Sequence, residues 1–342
     1  MLTDHARAAN GTSVLFPGNP TSIDLAARIA SAVAGIGPRR LWFGQVQTLE
    51  LHQLVAYFAG LGIRLPVGTA VTLTPLRHPF EAALHARTVA ALTGHPFVAG
   101  YGPAGDQDRR LLTGADYRSP RAATVEYLTI LRGLLAGEPV DFAGDYFSTN
   151  SKLIPVPHPP VEIGAGVLRP AMAGSVGEIA DVAITWMTPP SFVAGELVPA
   201  LEAAARRAGR DRRARIATVV PIALERAHRD PCRLATEVVG THVTRPHYAD
   251  MLRRAGVPVD HTDREGGVRM LVDSGVFAYG PPETVAGRIR EYYAAGVDEV
   301  ILHVGGVGNV EGVEPALRDL RLVFDEIRAD AGEFEDRKTP VR

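Results

Sequence analysis

Several things are scarce in this chain, and each scarcity removes a class of function. There is one cysteine, Cys232, so no internal disulfide framework can form and a reducing compartment is acceptable. Cys232 stands in Arg-Asp-Pro-Cys-Arg, near basic residues but with nothing else that marks a nucleophile. No segment approaches the ~20 continuous apolar residues of a membrane span. Met1 to Gly11 is polar and Ala-rich, without the apolar core of a signal peptide, and the expectation is a cytoplasmic protein. Net charge is nearly absent: 36 Lys and Arg against 38 Asp and Glu give −2, which supplies no long-range attraction to nucleic acid or an anionic membrane. The densest basic run, Arg206 to Arg215, follows an Ala-rich helical stretch and reads as a solvated helix end. Neither a Gly-x-Ser-x-Gly elbow nor a P-loop is present, which leaves acyl transfer and nucleotide hydrolysis without support. Of eleven histidines none has metal-ligand spacing with carboxylate partners, so no metal is expected; His242 and His247 read as residues of a solvated helix.

What is present is a globular composition with many tight turns: 46% apolar residues, 35 Gly and 26 Pro in 342 residues. Short β-branched or aromatic runs alternate with longer amphipathic ones. Strands are expected at Ser13–Phe16, Leu41–Phe43, Arg64–Leu73, Phe97–Gly100, Val161–Gly164, Val182–Trp186, Ala214–Val220 and Asp298–Val304. Between them lie helices such as the one capped by Ser22, with Ile23, Ala26, Ala27, Ala30 and Val33 on a 3.6 period, and others over 49–58, 122–135, 170–179, 196–208, 283–295 and 314–328. His78-Pro79 opens the third helix, with Pro79 suited to its first position and Glu81 to its positive end. Eight strands alternating mostly with helices predict a parallel sheet, and a closed (β/α)8 TIM barrel with insertions accommodates eight without edges. An open doubly wound sheet is the competitor. It would place a Gly-rich fingerprint after the first strand, where this chain has Pro17-Gly18-Asn19-Pro20. No composition break divides the chain, so 1–342 reads as a single barrel domain with a mainly helical excursion at about 230–275.

Barrel active sites form at the carboxyl ends of the strands. That rule selects the turns around Phe16 to Asn19, Gly44 to Gln47, Ala70 to Thr74, Gly100 to Gly105, Gly164 to Arg169, Trp186 to Thr188 and His303 to Gly306. Gly164-Ala165-Gly166-Val167-Leu168-Arg169 reads either as a phosphate cradle at a helix start, with Arg169 adding a charge-assisted contact, or as a simple tight connection. Gly68 to Pro75 carries small residues where a strand should be bulky, a mark of a bulge or of close ligand approach, or of a strand that narrows against a neighbour. Carboxylates are scarce at these turns. Neutral polar groups predominate, which suits a barrel whose cofactor performs the chemistry.

These same turns carry a family resemblance. Leu41-Trp42-Phe43-Gly44-Gln45, Gly68-Thr69-Ala70-Val71 followed by Arg77-His78-Pro79, Leu134 to Phe142 with Gly144, Gly177 to Asp181, and Thr185-Trp186-Met187-Thr188 form an ordered set. The set, across roughly 12–328, resembles the bacterial luciferase-like monooxygenase superfamily of flavin and coenzyme F420 enzymes, most closely its F420-dependent oxidoreductase subgroup. The resemblance implies F420, with FMN as the alternative, lying across the strand ends. Thr69, Ala70, Val71, Gly100 and Gly102 would meet its ring, with a non-prolyl cis bond at Ala70-Val71. Gly164, Ala165, Gly166, Val167, Leu168 and Arg169, beside Trp186, Met187 and Thr188, would hold its phosphorylated tail. There are departures: Val182 stands where the family usually has Gly, and the loop 100–105 lacks the subgroup's usual Ser-His. Where sugar- and alcohol-oxidising relatives carry an acidic or histidine pair, this chain has Gln45 and Val46, which argues against hydride abstraction from an alcohol.

The expected function is therefore an F420H2-dependent reductase passing hydride to an electron-poor C=C or C=N bond of a small molecule or modified peptide, as in natural-product tailoring. An FMN-dependent monooxygenase and a non-catalytic flavin-binding barrel are the alternatives. His303, Gln45 and Gln47 are the candidate catalytic donors, His303 reading equally as a core histidine. Phe16, Asn19 and His78 are the candidate substrate contacts, and the resemblance implies a homodimer.

Overall fold

The computed structural model describes residues 4–46, 48–114 and 116–336. Its eight parallel strands, β1 (Thr12–Leu15), β2 (Leu41–Phe43), β3 (Val67–Thr69, resumed at Thr72–Leu73), β4 (Phe97–Gly102), β5 (Val161–Gly166), β6 (Val182–Trp186), β7 (Arg215–Leu224) and β8 (Glu299–His303), close into a barrel surrounded by helices. The expected (β/α)8 architecture is what forms. By packing, the chain divides into two compact units. The first comprises described residues up to 41, 185–198 and 216 onward; the second comprises 42–184 and 199–215.

In the first unit β8 is the central strand. It pairs in parallel with β1, Ser13 opposite Ile301, and with β7, Pro221 opposite His303. That register sets His303 at the carboxyl end. At the amino end the buried Glu299 accepts a hydrogen bond from Ser13 Oγ at 2.6 Å, with Arg40 Nε 3.5 Å away. A charge sealed by partners at this end of a barrel belongs to stability. The first amphipathic helix, Ile23–Ile36, begins where the Ser22 hydroxyl accepts the Leu25 N–H and ends at Gly37, whose φ of 77° lets its N–H reach Val33 and Ala34 carbonyls. Helices Pro231–Val243, Pro246–Arg254 and Arg264–Asp273 follow β7.

In the second unit β4 is central, flanked by β3 and β5, and β5 pairs with β6. Opposite β4, residues 68 to 72 of the third strand take four steps while 98 to 101 take three. The extra residue is a bulge that lifts Ala70 and Val71, joined by a cis peptide bond, out of the ladder. The continuous strand expected over 64–73 is thus interrupted at the position where small residues hinted at it. Gly68 has a further reason to be small: a Cβ there would sit 2.7 Å from the Trp42 indole.

Other boundaries differ as well. β5 continues through Gly166, past the expected end at Gly164, and β7 runs past Pro221 to Leu224. The helix expected over 170–179 stops at Val176, and a helix at Gly305–Glu311 precedes the last one, Val313–Asp336. The helix Val198–Arg207 does end in exposed residues, Arg206 and Arg207, as expected for 206–215; beyond it Arg210 donates to the carbonyls of Gly177 and Ala180, and Arg215 pairs with Glu162 at 2.7 Å. Among the described residues no helix is long and apolar enough to cross a membrane.

Candidate active site

In the second unit the bulge is held by a small set of hydrogen bonds. Thr69 Oγ1 accepts the Gly100 N–H at 2.7 Å and donates to the Gly100 carbonyl at 2.9 Å; Thr72 Oγ1 donates to the same carbonyl at 3.0 Å. Ala70 N–H donates to Phe43 O at 2.8 Å, and Gln45 N–H to Val71 O at 3.3 Å. Thr69 and Gly100 are buried, whereas Ala70 and Val71 keep partial access. The exposed part of the bulge is therefore a stretch of backbone fastened on both sides.

The glycines divide by what surrounds them. A Cβ on Gly100 would lie 1.9 Å from Thr69 O, and one on Gly164 2.7 Å from Ile184 Cδ1. A Cβ on Gly102 would meet Val71 Cγ2 at 2.7 Å. These three are glycine because neighbours require it. Gly166 differs: its nearest neighbours would be 3.7 Å from an added Cβ, so its missing side chain leaves accessible space at the end of β5.

The expected phosphate cradle is narrower than its sequence implies. Gly164, Ala165 and Gly166 belong to β5, the Val167 N–H is bonded to Ile184 O at 2.8 Å, and Pro170 has no N–H. Leu168 and the exposed Arg169 remain as the turn proper.

Gln45 is half-buried after β2. Its Nε2 donates to Val46 O at 3.3 Å, and its Oε1 is buried without a hydrogen-bond partner among the described residues. A buried amide acceptor left open costs free energy unless a ligand satisfies it. Gln47 lies outside the described residues. His78 is exposed and works as a helix cap, its Nδ1 accepting the Phe80 N–H at 3.2 Å while Nε2 lies 3.0 Å from Ser148 O. Beside it, an unforeseen cluster fixes the helix starts. Glu50 accepts from Arg77 Nη2 and from His52 Nδ1, both at 2.7 Å, and from the Gln53 N–H. Burial alone would raise the Glu50 carboxyl; the hydrogen bonds from His52 and Gln53, with the His52 and Arg77 charges, outweigh it and hold it at about 2.

A second unforeseen element follows β4. The buried Arg109 guanidinium donates to the carbonyls of Pro103 and Ala104 at 3.1 and 3.3 Å, pairs with Asp106 at 2.5 Å and stacks over Tyr117 at 4.8 Å. It ties down a turn in which Ala104 has φ 61°. One arginine among four in the stretch 109–121 gave no signal of this in the sequence.

In the first unit the carboxyl ends of β6 and β8 meet. Trp186 packs against His303 with ring centroids 5.5 Å apart, and against His242 at 5.4 Å; Tyr248 meets His242 edge-on at 5.3 Å. The expectation of a solvated helix for His242 and His247 is corrected here. The two lie on successive helices, and His242 turns inward because its neighbours are aromatic. His303 is half-buried, and its Nδ1 accepts the Gly305 N–H at 3.3 Å, so the neutral ring carries its proton on Nε2. Desolvation, followed by the His242 charge, lowers its pKa to about 4. Met187 (φ 57°) and Thr188 are 1% exposed, so their side chains pack inward and any contact from this turn falls to Trp186 or the backbone. Phe16 is buried and Asn19 exposed after β1. Burial and nearby Asp230 raise the Cys232 thiol, which disfavours a reactive thiolate. Among the described residues no group of three or more His, Cys, Asp or Glu is placed to hold a metal ion.

Comparison with known proteins fits this arrangement. The family described as luciferase-like monooxygenase matches residues 2–299. The 5,10-methylenetetrahydromethanopterin reductase of Methanolobus tindarius is 25% identical over 253 residues, 69% of this chain and 76% of that protein. The solved structure of the coenzyme F420-dependent tetrahydromethanopterin reductase from Methanopyrus kandleri superposes with a TM-score of 0.72 at 20% identity, covering 93% of this chain and 98% of the other. The FMN-bound oxygenating constituent of 3,6-diketocamphane monooxygenase from Pseudomonas putida gives 0.70 at 18% identity, covering 94% and 98%. A barrel with its third strand bulged at a cis Ala70-Val71 bond, matched over most of its length, belongs to the luciferase-like monooxygenase family.

Proposed function

We propose that this chain is an oxidoreductase that uses reduced coenzyme F420 to saturate an electron-poor C=C or C=N bond of a small molecule or modified peptide. The observation that carries this reading is the second unit's bulge, where the backbone of Ala70 and Val71 keeps partial access beside a Gln45 Oε1 that has no hydrogen-bond partner among the described residues. In the first unit burial, then His242, lowers the His303 pKa to about 4, which makes it a poor base for taking a proton from an alcohol.

The residues of the second unit fit the coenzyme. The open acceptor Gln45 Oε1 suits an N–H on the edge of its ring, the accessible backbone of Ala70 and Val71 offers a flat support, and the space above Gly166 admits a substituent. Leu168 and Arg169 would meet the anionic tail. When bound, F420H2 supplies a two-electron hydride and no oxygen chemistry. The protein's part would be to support that ring on the backbone of Ala70 and Val71, to meet its N–H edge with Gln45 Oε1, and to exclude water with the Tyr117 and Arg109 side of the turn after β4. The Methanopyrus kandleri neighbour, described as coenzyme F420-dependent, supports the choice of F420, while the FMN-bound neighbour keeps an oxygen-inserting reaction as the rival. A homodimer belongs to the same proposal.

Anaerobic turnover separates the two. Purified protein with F420H2 and a panel of activated alkenes and imines should oxidise the coenzyme, read as recovery of its absorbance, without oxygen. Turnover only with reduced FMN and oxygen would reject the proposal.

A further inference from the structure

One hairpin of the second unit is fastened chiefly by a single side chain. Its strands, Val140–Ala143 and Ser148–Ser151, pair antiparallel in a small sheet of their own. Asp141, Ala143, Ser148 and Asn150 are exposed, so little apolar surface holds the pair. A two-stranded ribbon of this kind is marginal in water unless something pins it. The pin is Glu126, on the helix Pro120–Leu135. Its Oε1 accepts the Asp145 N–H at 3.0 Å, and its Oε2 accepts the N–H groups of Tyr146 and Phe147 at 2.8 and 3.1 Å. A Cβ on residue 144 would lie 2.4 Å from Glu126 Oε2, so Gly144 is small to let the carboxylate in. Other ties are single bonds: Ser119 N–H donates to the Tyr146 hydroxyl at 2.7 Å, and His78 Nε2 to Ser148 O at 3.0 Å.

The hairpin carries the outer part of a wall of rings. Phe147 meets Tyr127 edge-on at 5.2 Å and Tyr117 at 6.3 Å, and Tyr146 meets Tyr117 at 5.1 Å. Tyr127 packs at 5.2 Å on Tyr101, whose backbone lies opposite Thr72, the first residue past the cis bond. Tyr101 and Tyr127 are buried at the base, whereas Tyr117, Tyr146 and Phe147 keep partial access at the rim. The wall thus runs outward from the strand ends of the second unit, and two of its outer rings belong to the hairpin.

We infer that the hairpin is a strap latched by the Glu126 carboxylate, and that its opening lets the coenzyme reach and leave the strand ends of the second unit. The inference rests on the coenzyme reading above, and Glu126 is a positioning residue for the closure. Three charge-assisted bonds converge on one carboxylate, so parting from it frees three successive N–H groups and both outer rings together. The barrel strand β4, paired on both sides, stays in place.

Residue-resolved hydrogen exchange of the wild type without coenzyme should show the amides of 140–151 exchanging as one group. They should be at least tenfold less protected than β4 or the middle of Pro120–Leu135. E126A, checked for folding by circular dichroism, should lower protection across the whole hairpin tenfold or more and leave β4 unchanged. E126Q, which keeps one acceptor oxygen, should fall between. In stopped-flow fluorescence E126A should speed both binding and release of F420 tenfold or more, with E126Q again intermediate. Hairpin amides as protected as β4 in the wild type, or an even loss of protection over the whole unit in E126A, would overturn the strap. Faster hairpin exchange with unchanged F420 rates would overturn the gating. A wild type that binds no F420 would reject the coenzyme reading and the gating with it, while the exchange pattern would still decide whether the hairpin opens alone.

Discussion

Acidification should expose the cost of charging His303. Its pKa falls from 6.5 to about 4 on folding, chiefly through desolvation and then through His242. Between those values the unfolded chain binds a proton that the folded chain refuses, so stability rises with pH across the window and is lost as pH falls through it. Two and a half units correspond to about 3 kcal/mol when complete, at roughly 1.4 kcal/mol per unit. From pH 7 to pH 5 the single-site linkage gives a loss of about 2 kcal/mol. Urea unfolding of the wild type and of His303→Gln at pH 7, 6 and 5 isolates this contribution, because every other titrating group is common to both chains. The wild type should lose about 2 kcal/mol more than the variant over that interval, with unchanged m-values. The same ring should leave no limb near pH 6.5 in the activity profile. Parallel stability curves for the two proteins would refute the reasoning, since they would mean that His303 titrates as freely as it does in the unfolded chain.

Gly100→Ala places a Cβ 1.9 Å from a backbone oxygen and should cost about 3 kcal/mol or more, read by urea midpoint. Gly166→Ala has room and should fold with near wild-type stability yet bind F420 more weakly, because it would fill the space proposed for the coenzyme. Thr69→Val removes the hydroxyl that bonds both the N–H and the carbonyl of Gly100; the carbonyl keeps Thr72 Oγ1, but the N–H loses this acceptor, and the change should destabilise by about 1–3 kcal/mol. Arg109→Met releases the carbonyls of Pro103 and Ala104 together with Asp106, so limited proteolysis should cut within 103–114 faster than in the wild type while the rest of the chain stays resistant.

The barrel was legible because its strands are short apolar runs and its helices keep a 3.6 period: Leu41–Phe43 and Val182–Trp186 match to the residue, and the Ser22 cap is where its hydroxyl predicts. Boundaries failed where backbone pairing overrides composition. Gly164 to Gly166 looks like a turn, yet each residue has a partner on a neighbouring strand, and residue 164 is glycine to admit Ile184. Pro221 looks like a strand end, but it lacks only a donor and β7 continues past it. The candidate site was half legible. Gln45, Ala70, Val71 and His303 stand out as small or neutral polar residues at strand ends. His242, His52 with Glu50, and Arg109 do not, because their roles come from partners distant in sequence; five-residue spacing could not reveal that His242 turns toward Trp186.

The central claim is that the carboxyl ends of the second unit's strands, around Gln45, Ala70-Val71 and Gly166, are shaped for a deazaflavin. Titrating purified apoprotein with F420 and, separately, with FMN, following coenzyme fluorescence, tests it most directly. The account expects saturable F420 binding at micromolar concentration, FMN at least tenfold weaker, and F420 affinity reduced in Gly166→Ala. Tight FMN binding with no response to F420, or F420 binding that Gly166→Ala leaves untouched, would contradict it.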